Sequence, residues 1–245
     1  MVGDRPITTF GAGVEVDTIL TDPVAMPGSA LVGEIHFRGG KADYTVQSLN
    51  VEYLAIIDRD SGNPHAPLTI PFGRVEIARD VELRADTRQV VPFSIEVPWG
   101  TPINSVAGRR LRGVSLGIYT GMRMGGTFNK SDSDPLEVAP LPVQEQVLKA
   151  LEHRRLVLGN TDLEDIRLPP AETSFLQKIK FALNEKLTHK FQELKVSFIA
   201  DPKAVTVIME LDNGRANQLV VGHNQLSSVD LDTAIGGQLD AVIGN

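Results

Sequence analysis

The pattern closest to a catalytic motif lies at residues 113–117, which read Gly-Val-Ser-Leu-Gly and match the Gly-x-Ser-x-Gly sequence of serine hydrolases. In those enzymes the serine sits on a sharp turn between a strand and a helix, where its hydroxyl can attack a carbonyl. Here Val114, Leu116 and Ile118 alternate with Ser115 and Gly117, and no helical pattern comes after them. The sequence therefore predicts an ordinary strand serine and no enzymatic activity.

An acidic cluster formed by Asp132, Asp134 and Glu137 offers closely spaced oxygen atoms that could bind calcium. If Asp132 takes the first position of an EF-hand loop, Glu137 falls where the turn requires glycine. Val143 then falls where a bidentate glutamate is required. We expect these side chains to stabilise the turn before a strand at residues 136–138 instead.

No other group of residues has the spacing of a metal or cofactor site. No two histidines stand four residues apart, so a His-Glu-x-x-His zinc site is excluded, and surface or satisfied polar roles are expected for all of them. The pair Gly11 and Gly13 lacks the third glycine and the helix of a dinucleotide site. We expect no metal and no cofactor. The histidines are His36, His65, His153, His189 and His223.

Three arginines, Arg109, Arg110 and Arg112, follow a loop rich in proline and glycine and lead into the next strand. Guanidinium groups bind phosphate and carboxylate well, so a contact with an anionic partner is one hypothesis. The favoured alternative is a solvated loop, because a few like charges are common on protein surfaces.

The composition excludes several classes of function. Across 245 residues, 24 basic and 31 acidic side chains give a net charge of -7, without the basic surplus that nucleic-acid binding requires. The chain has no cysteine, which excludes disulfides, thiolate nucleophiles and thiolate metal sites. The N-terminus lacks an apolar signal segment, and no run approaches the ~20 apolar residues of a membrane helix. We expect a cytoplasmic protein without a membrane span.

The elements that position these residues are mainly strands with one buried face. Apolar and polar residues alternate with a period of two at residues 31–38, 93–97 and 194–198, and turn signals separate the runs. Many short strands of this kind predict β-sandwiches. One helix is predicted after Pro142, with Val143, Val147, Leu148 and Leu151 on one face. Residues 227–245 stay open, because helical spacing there conflicts with Gly236 and Gly237.

The order of these elements resembles a known family. The strand around Val16, the turn at Pro27 and Gly28, the Gly33 strand and the corner at Gly39 and Gly40 resemble the start of the bacterial sporulation-control family, SpoOM. Residues 92–98 resemble a late strand of the wider arrestin group. Residues 131–138 with the helix after them, and residues 175–181 and 194–198, resemble later parts of the family. The resemblance implies an arrestin-like fold and an adaptor or regulatory role in control of sporulation or of cell division.

We therefore predict an all-β protein of two arrestin-like β-sandwich domains joined by a short helical linker. The predicted limits are 1–140 for the first domain, 141–153 for the linker and 154–245 for the second. The predicted function is a cytoplasmic adaptor that binds other proteins. Two alternatives are a protein that self-associates through exposed sheet edges and a peripheral membrane protein that uses residues 227–245. Aspartates in that segment disfavour the membrane alternative.

Overall fold

The structure is a computed structural model that describes residues 8–9, 13–57, 68–130, 134–165, 175–183 and 191–244. Strands dominate this part of the chain, so the predicted all-β class is confirmed. The strands before the first helix are β1 (Thr8–Thr9), β2 (Glu15–Leu20), β3 (Val24–Ala25), β4 (Ala30–Arg38), β5 (Tyr44–Ile57), β6 (Leu68–Leu83), β7 (Arg88–Glu96), β8 (Ser105–Val106), β9 (Arg109–Arg110), β10 (Val114–Met124), β11 (Thr127–Lys130) and β12 (Asp134–Val138).

These strands form two sheets and one short hairpin. The first sheet has the order β1-β2-β4-β7, and the second has the order β3-β12-β10-β5-β6, with β11 paired to β10. Strands β8 and β9 form a separate hairpin. The sheets pack face to face, since the hydroxyl groups of Thr18 in β2 and Thr120 in β10 share a buried hydrogen bond of 2.6 Å.

The predicted alternation is visible in the burial of β4, where every second side chain from Leu31 to Phe37 faces the core. Tyr53 from β5 lies in the same core, and its hydroxyl donates to the carbonyl of Glu96 at 3.1 Å. Burial, with a smaller contribution from the charge of Glu96, raises the pKa of Tyr53. The phenol therefore stays a neutral donor and holds β5 against β7.

Helix α1 (Pro142–His153) comes after β12 and is buried more deeply than a surface linker. Pro142 occupies the first turn, and the side chain of Gln144 accepts a hydrogen bond from the Leu141 N–H at 2.7 Å. The predicted apolar face is buried, and Gln144 and Ala150 are buried with it. Because α1 belongs to one continuous core cluster shared by both halves, the domain limits at 140 and 153 remain a prediction.

The second half contains one antiparallel sheet in which neighbours in sequence are neighbours in space. A 3₁₀ turn (His223–Gln225) and helix α2 (Leu231–Gly244) come after it. The prediction expected a second sandwich here, whereas in the described residues α2 is the layer that covers the buried side of β16 and β17. The strands of this sheet are β13 (Val157–Asp165), β14 (Phe175–Ala182), β15 (Glu193–Ala200), β16 (Ala204–Leu211) and β17 (Ala216–Gly222).

Helix α2 is anchored by an arginine at the end of α1. The Arg154 Nη1 atom donates to the Asp232 Oδ1 atom at 2.9 Å, and its Nη2 atom donates to the Asp232 backbone carbonyl at 2.5 Å. Hydrogen bonds from Arg154, and then from His153, lower the pKa of the Asp232 carboxyl. A β-carbon on Gly236 would lie 2.5 Å from that same Nη2 atom. Gly236, which made the helix hard to predict from the sequence, therefore leaves the space that the Arg154 guanidinium occupies.

This geometry predicts opposite effects for two adjacent glycine-to-alanine substitutions in α2. Gly237→Ala should raise the free energy of unfolding by roughly 0.5–1 kcal/mol, because alanine favours helix and nothing lies within 4 Å of its added carbon. Gly236→Ala should give no gain or a net loss, because its methyl group displaces Arg154 from Asp232. Urea unfolding of both variants measures the difference, and equal stabilisation by both would contradict the anchor.

Candidate functional site

The two halves meet through paired backbone and side-chain hydrogen bonds. The Ile103 N–H donates to the side-chain oxygen of Gln177 at 2.9 Å, and the Gln177 amide nitrogen donates back to the Ile103 carbonyl at 2.7 Å. A two-way amide contact of this kind fixes orientation as well as distance. Gln177 in β14 therefore positions the second sheet against the segment that leads into the β8–β9 hairpin.

Two pairs of aromatic rings also join the halves. Phe72 of β6 meets Phe175 of β14 edge to face, with ring centroids 5.3 Å apart. Trp99 and His223 lie with ring centroids 5.6 Å apart. Such ring pairs contribute about 0.5–1.5 kcal/mol beyond the area they bury. Each pair links a residue before α1 to one after it.

The closest backbone approach between the halves lies at Arg112 and Gly113. The Thr161 N–H donates to the Arg112 carbonyl at 2.8 Å, and Arg112 and Asn160 form an isolated parallel bridge. Gly113 has a φ of 100°, and a β-carbon there would lie far inside contact distance of the Thr161 carbonyl oxygen. Only glycine allows the two chain segments to come this close.

A cleft of about 350 Å³ opens on one side of this bridge. Arg109 of β9 and Val157 of β13 both line it, and each lies three residues before the bridged position. The two extended segments therefore meet at Arg112 and Asn160 and separate in the direction of Arg109 and Val157. The remaining lining residues come from the hairpin, α1 and the first strands of the second sheet: Val106, Ala107, Glu145, Leu148, Lys149, Glu152, Arg155, Leu156, Leu158 and Phe181.

The floor of the cleft is apolar and its rim is charged. Leu148, Leu156 and Phe181 are buried, whereas the side chain of Val157 is 65% exposed. On the rim, Lys149 pairs with Glu145 at 2.7 Å. Among the described residues, neither Arg109 nor Arg155 takes part in a salt bridge.

Arg155 reaches the rim because of how α1 ends. The Leu156 N–H bonds to the Leu151 carbonyl and the Arg155 N–H to the Glu152 carbonyl, which is the Schellman pattern with Arg155 at the C′ position. Arg155 has a φ of 61° in this position, where glycine is the usual residue. A non-glycine residue in this conformation costs about 1–2 kcal/mol. The sequence analysis did not single out Arg155. The available signal was that the predicted helix is followed by Arg154, Arg155 and Leu156, with no glycine to end it.

The three arginines singled out from the sequence do not form one cluster. Arg109 lines the cleft, and Arg110 lines a smaller cavity of about 200 Å³ on another side of the hairpin. Arg112 has an exposed side chain, and its backbone carbonyl makes the bridge to Thr161. The structure therefore brings Arg109 together with Arg155. The contact of Arg109, Arg110 and Arg112 with an anionic partner stays a prediction.

The other residues considered for chemistry have structural positions. Ser115 lies inside the strand β10, opposite Ile56, and no helix comes directly after it. Asp134 and Glu137 belong to β12, whereas Asp132, His65, His189 and Gly11 lie outside the described residues. His36 pairs with Glu34 on the outer face of β4.

The described part of the chain was also searched for metal-binding groups and for membrane-spanning helices. No group of three or more histidine or acidic side chains in it is placed to hold a metal ion. None of its helices is long and apolar enough to cross a bilayer.

The outer face of the second sheet carries ion pairs that run across strands. Lys178 of β14 pairs with Glu210 of β16 at 2.7 Å and with Glu164 of β13 at 2.9 Å. Burial alone would lower the pKa of Lys178, but the hydrogen bonds to both glutamates outweigh it and raise this pKa. The ammonium is therefore held charged at the middle of that face.

Two edges of the sheets differ in how they are protected. Just past the end of β7, the Val97 N–H donates to the Ser29 carbonyl beside β4. Because backbone N–H groups point to alternate sides of a strand, the backbone nitrogen of Pro92 faces the free edge. Proline has no N–H there to offer to a further strand. Strand β17 pairs with β16 without a register shift and carries neither a charge nor a proline. Its Val220 is 58% exposed. In the part of the chain that the structure describes, the β17 edge is therefore open to a further strand.

Together these features define the class: a two-part β-protein whose halves are joined through a buried helix and a close backbone bridge. The sequence model described as SpoOM protein matches residues 4–215, and the chain belongs to this family. This confirms the resemblance given by the sequence.

Two relatives agree with the assignment. The Sporulation-control protein spo0M of Bacillus subtilis (strain 168) is 27% identical over 203 residues, which make up 81% of this chain and 75% of that protein. The crystal structure of Spo0M, sporulation control protein, from Bacillus subtilis matches with a TM-score of 0.80 at 20% identity. That match covers 95% of this chain and 100% of the solved chain, and it shows a shared fold.

The bridge between the halves predicts a large difference between two glycine substitutions. Gly113→Ala should lower the free energy of unfolding by about 3 kcal/mol or more, since it adds a backbone clash to the strain of a positive φ. Gly108→Ala should cost only about 1–2 kcal/mol, because φ is 73° there and nothing lies within 4 Å. Urea unfolding measures both, and similar losses would show that the bridge is not a close constraint.

Proposed function

We propose that this chain is a non-enzymatic regulatory protein that acts by binding another protein, in the cytoplasm and in control of sporulation. The observation that carries the proposal is the cleft at the junction, which combines an apolar floor with Arg109 and Arg155 on its rim. The name of the Bacillus subtilis relative supplies the process. The strain at Arg155 supports a binding role, because strained residues are retained where they serve a site.

The position of Ser115 argues for binding instead of catalysis. A strand serine that does not lead into a helix lacks the exposed turn on which a hydrolase places its nucleophile. The cleft is lined by three cationic side chains, two carboxylates and several apolar side chains, a combination suited to recognising a ligand.

Membrane contact through residues 227–245 is the weaker alternative. The apolar residues of α2, namely Leu231, Ile235, Leu239 and Val242, are buried against α1 and the second sheet. They would have to leave that core before they could enter a bilayer.

A second candidate function, self-association, is favoured by the β17 edge. Strand addition between two copies would satisfy the free backbone groups of β17 and would cover Val220. The His223 N–H donates to the Lys203 carbonyl beside β16. Because backbone N–H groups point to alternate sides of a strand, the Val220 N–H faces the free edge.

Affinity capture tests the principal proposal. The tagged chain and its Arg109→Glu/Arg155→Glu double variant are used to capture proteins from a lysate of the source organism, and the captured proteins are measured by quantitative mass spectrometry. A specific partner should be retained by the wild type and reduced at least tenfold by the double variant, since each lost charge-assisted bond is worth about 1.5–3 kcal/mol.

The matched control is Arg110→Glu, which makes the same charge change as Arg109→Glu on the same hairpin but outside the cleft. Partner recovery should be unchanged in this control. Equal recovery by the wild type and the double variant would reject the cleft as the binding site.

Light scattering tests the second candidate. If two copies pair through β17, the apparent mass should rise toward twice the monomer mass with concentration. Val220→Pro should keep the protein monomeric, because proline removes the edge N–H. Val220→Thr keeps that N–H and serves as the control. A wild-type protein that stays monomeric at all concentrations would exclude this mode of association.

A further inference from the structure

The cleft at the junction has the shape of a gap between two strands. Within the described residues, strand β9 is paired only with β8, and β13 is paired only with β14 apart from the bridge at Arg112 and Asn160. The Leu111 N–H bonds to the Asn104 carbonyl at 2.9 Å, which continues the β8–β9 ladder up to the bridge. Both segments therefore enter the cleft extended, and in the described part of the chain one side of each has no strand partner.

The dimensions of the gap suit a short extended segment. Three residues separate the bridge from Arg109 on one side and from Val157 on the other. At about 3.3 Å per residue, the gap is roughly 10 Å long. A partner segment of about three to five residues fills that length, and its backbone can add to the edge of β9 or β13.

The surfaces around the gap select side chains of two kinds. Leu148, Leu156 and Phe181 form a floor that accepts an apolar side chain. Arg109 and Arg155 stand on the rim without a salt bridge among the described residues. In a chain of net charge -7, the cleft lining has an excess of one positive charge, because Glu145 is paired with Lys149 and Glu152 offsets one of the two arginines.

The residue at the end of α1 adds an independent observation. Glycine at position 155 would complete the Schellman motif without strain, yet arginine occupies it and lines the cleft. Stability therefore favours glycine, while the cleft gains a cation from arginine. This is the conflict expected where a residue serves binding at the expense of the fold.

We propose that the cleft binds an extended peptide segment of a partner protein, in which an apolar side chain stands next to an aspartate or glutamate. The apolar side chain packs on the floor, and the carboxylate accepts charge-assisted hydrogen bonds from Arg109 and Arg155. The backbone of the segment adds as a strand to the free side of β9 or β13. This inference rests on the proposed function and specifies the kind of partner that the cleft takes.

A peptide array provides the test. The probes are fluorescein-labelled peptides of seven residues, with Asp or Glu and Leu, Ile or Val at the central positions in all orders and glycine at both ends. Matched probes replace the acidic residues by lysine or the apolar residues by serine. Fluorescence anisotropy with the full chain should give binding for acidic–apolar probes and at least tenfold weaker binding for both matched sets.

Variants locate the bound peptide. Arg109→Glu should weaken peptide binding at least tenfold, and its control Arg110→Glu should leave binding unchanged. Val157→Glu should also weaken binding. Its control is Val32→Glu, at another exposed valine, which should have no effect. Arg155→Gly is the decisive variant. It should raise the urea midpoint of unfolding and still weaken peptide binding about tenfold, so a loss of binding cannot be ascribed to misfolding.

Two results would overturn the inference. One is an array without any probe that binds more tightly than about 1 mM. The other is peptide binding that is unaffected by Arg109→Glu, Val157→Glu and Arg155→Gly. The capture experiment has a separate outcome. If the wild type captures a partner that the double arginine variant does not, and no peptide binds, the proposed function stands. The cleft would then bind a folded surface of that partner and not an extended peptide.

Discussion

The structure depends on one close backbone contact, at which the Arg112 carbonyl accepts a hydrogen bond from Thr161 and Gly113 leaves no room for a side chain. Two sheet-built halves could otherwise pack in several orientations. Because this contact closes one end of the gap between β9 and β13, it also determines where the cleft begins. The fold and the candidate site therefore share a single constraint.

Local alternation and turn chemistry made much of the fold predictable from the sequence. The strand faces at β4, the start of α1 at Pro142 and the strand position of Ser115 are confirmed. These features depend on residues close together in the chain, so their periodicity carries the information. The predicted alternation is wrong for β10, which is buried on both faces along most of its length, and for β15, where Ser197 is buried. Helix α2 could not be assigned, because the partner that requires Gly236 is Arg154, which is distant in sequence.

The candidate site was harder to predict than the fold for the same reason. Adjacent arginines at 109, 110 and 112 suggested one cationic cluster, but strand geometry sends the side chains of Arg109 and Arg110 to different cavities. The second cation of the cleft, Arg155, comes from the end of a helix after the first half. Arg109 and Arg155 are distant in sequence, and they line the same cleft only because the fold brings their segments together.

The place of Trp99 has a spectroscopic consequence. It is the one tryptophan in the chain, and its ring lies beside His223, which the second half contributes. The indole therefore senses an environment that exists only while both halves remain docked. Its ultraviolet emission is an intrinsic, label-free gauge of their separation, and it can be monitored in the unmodified protein.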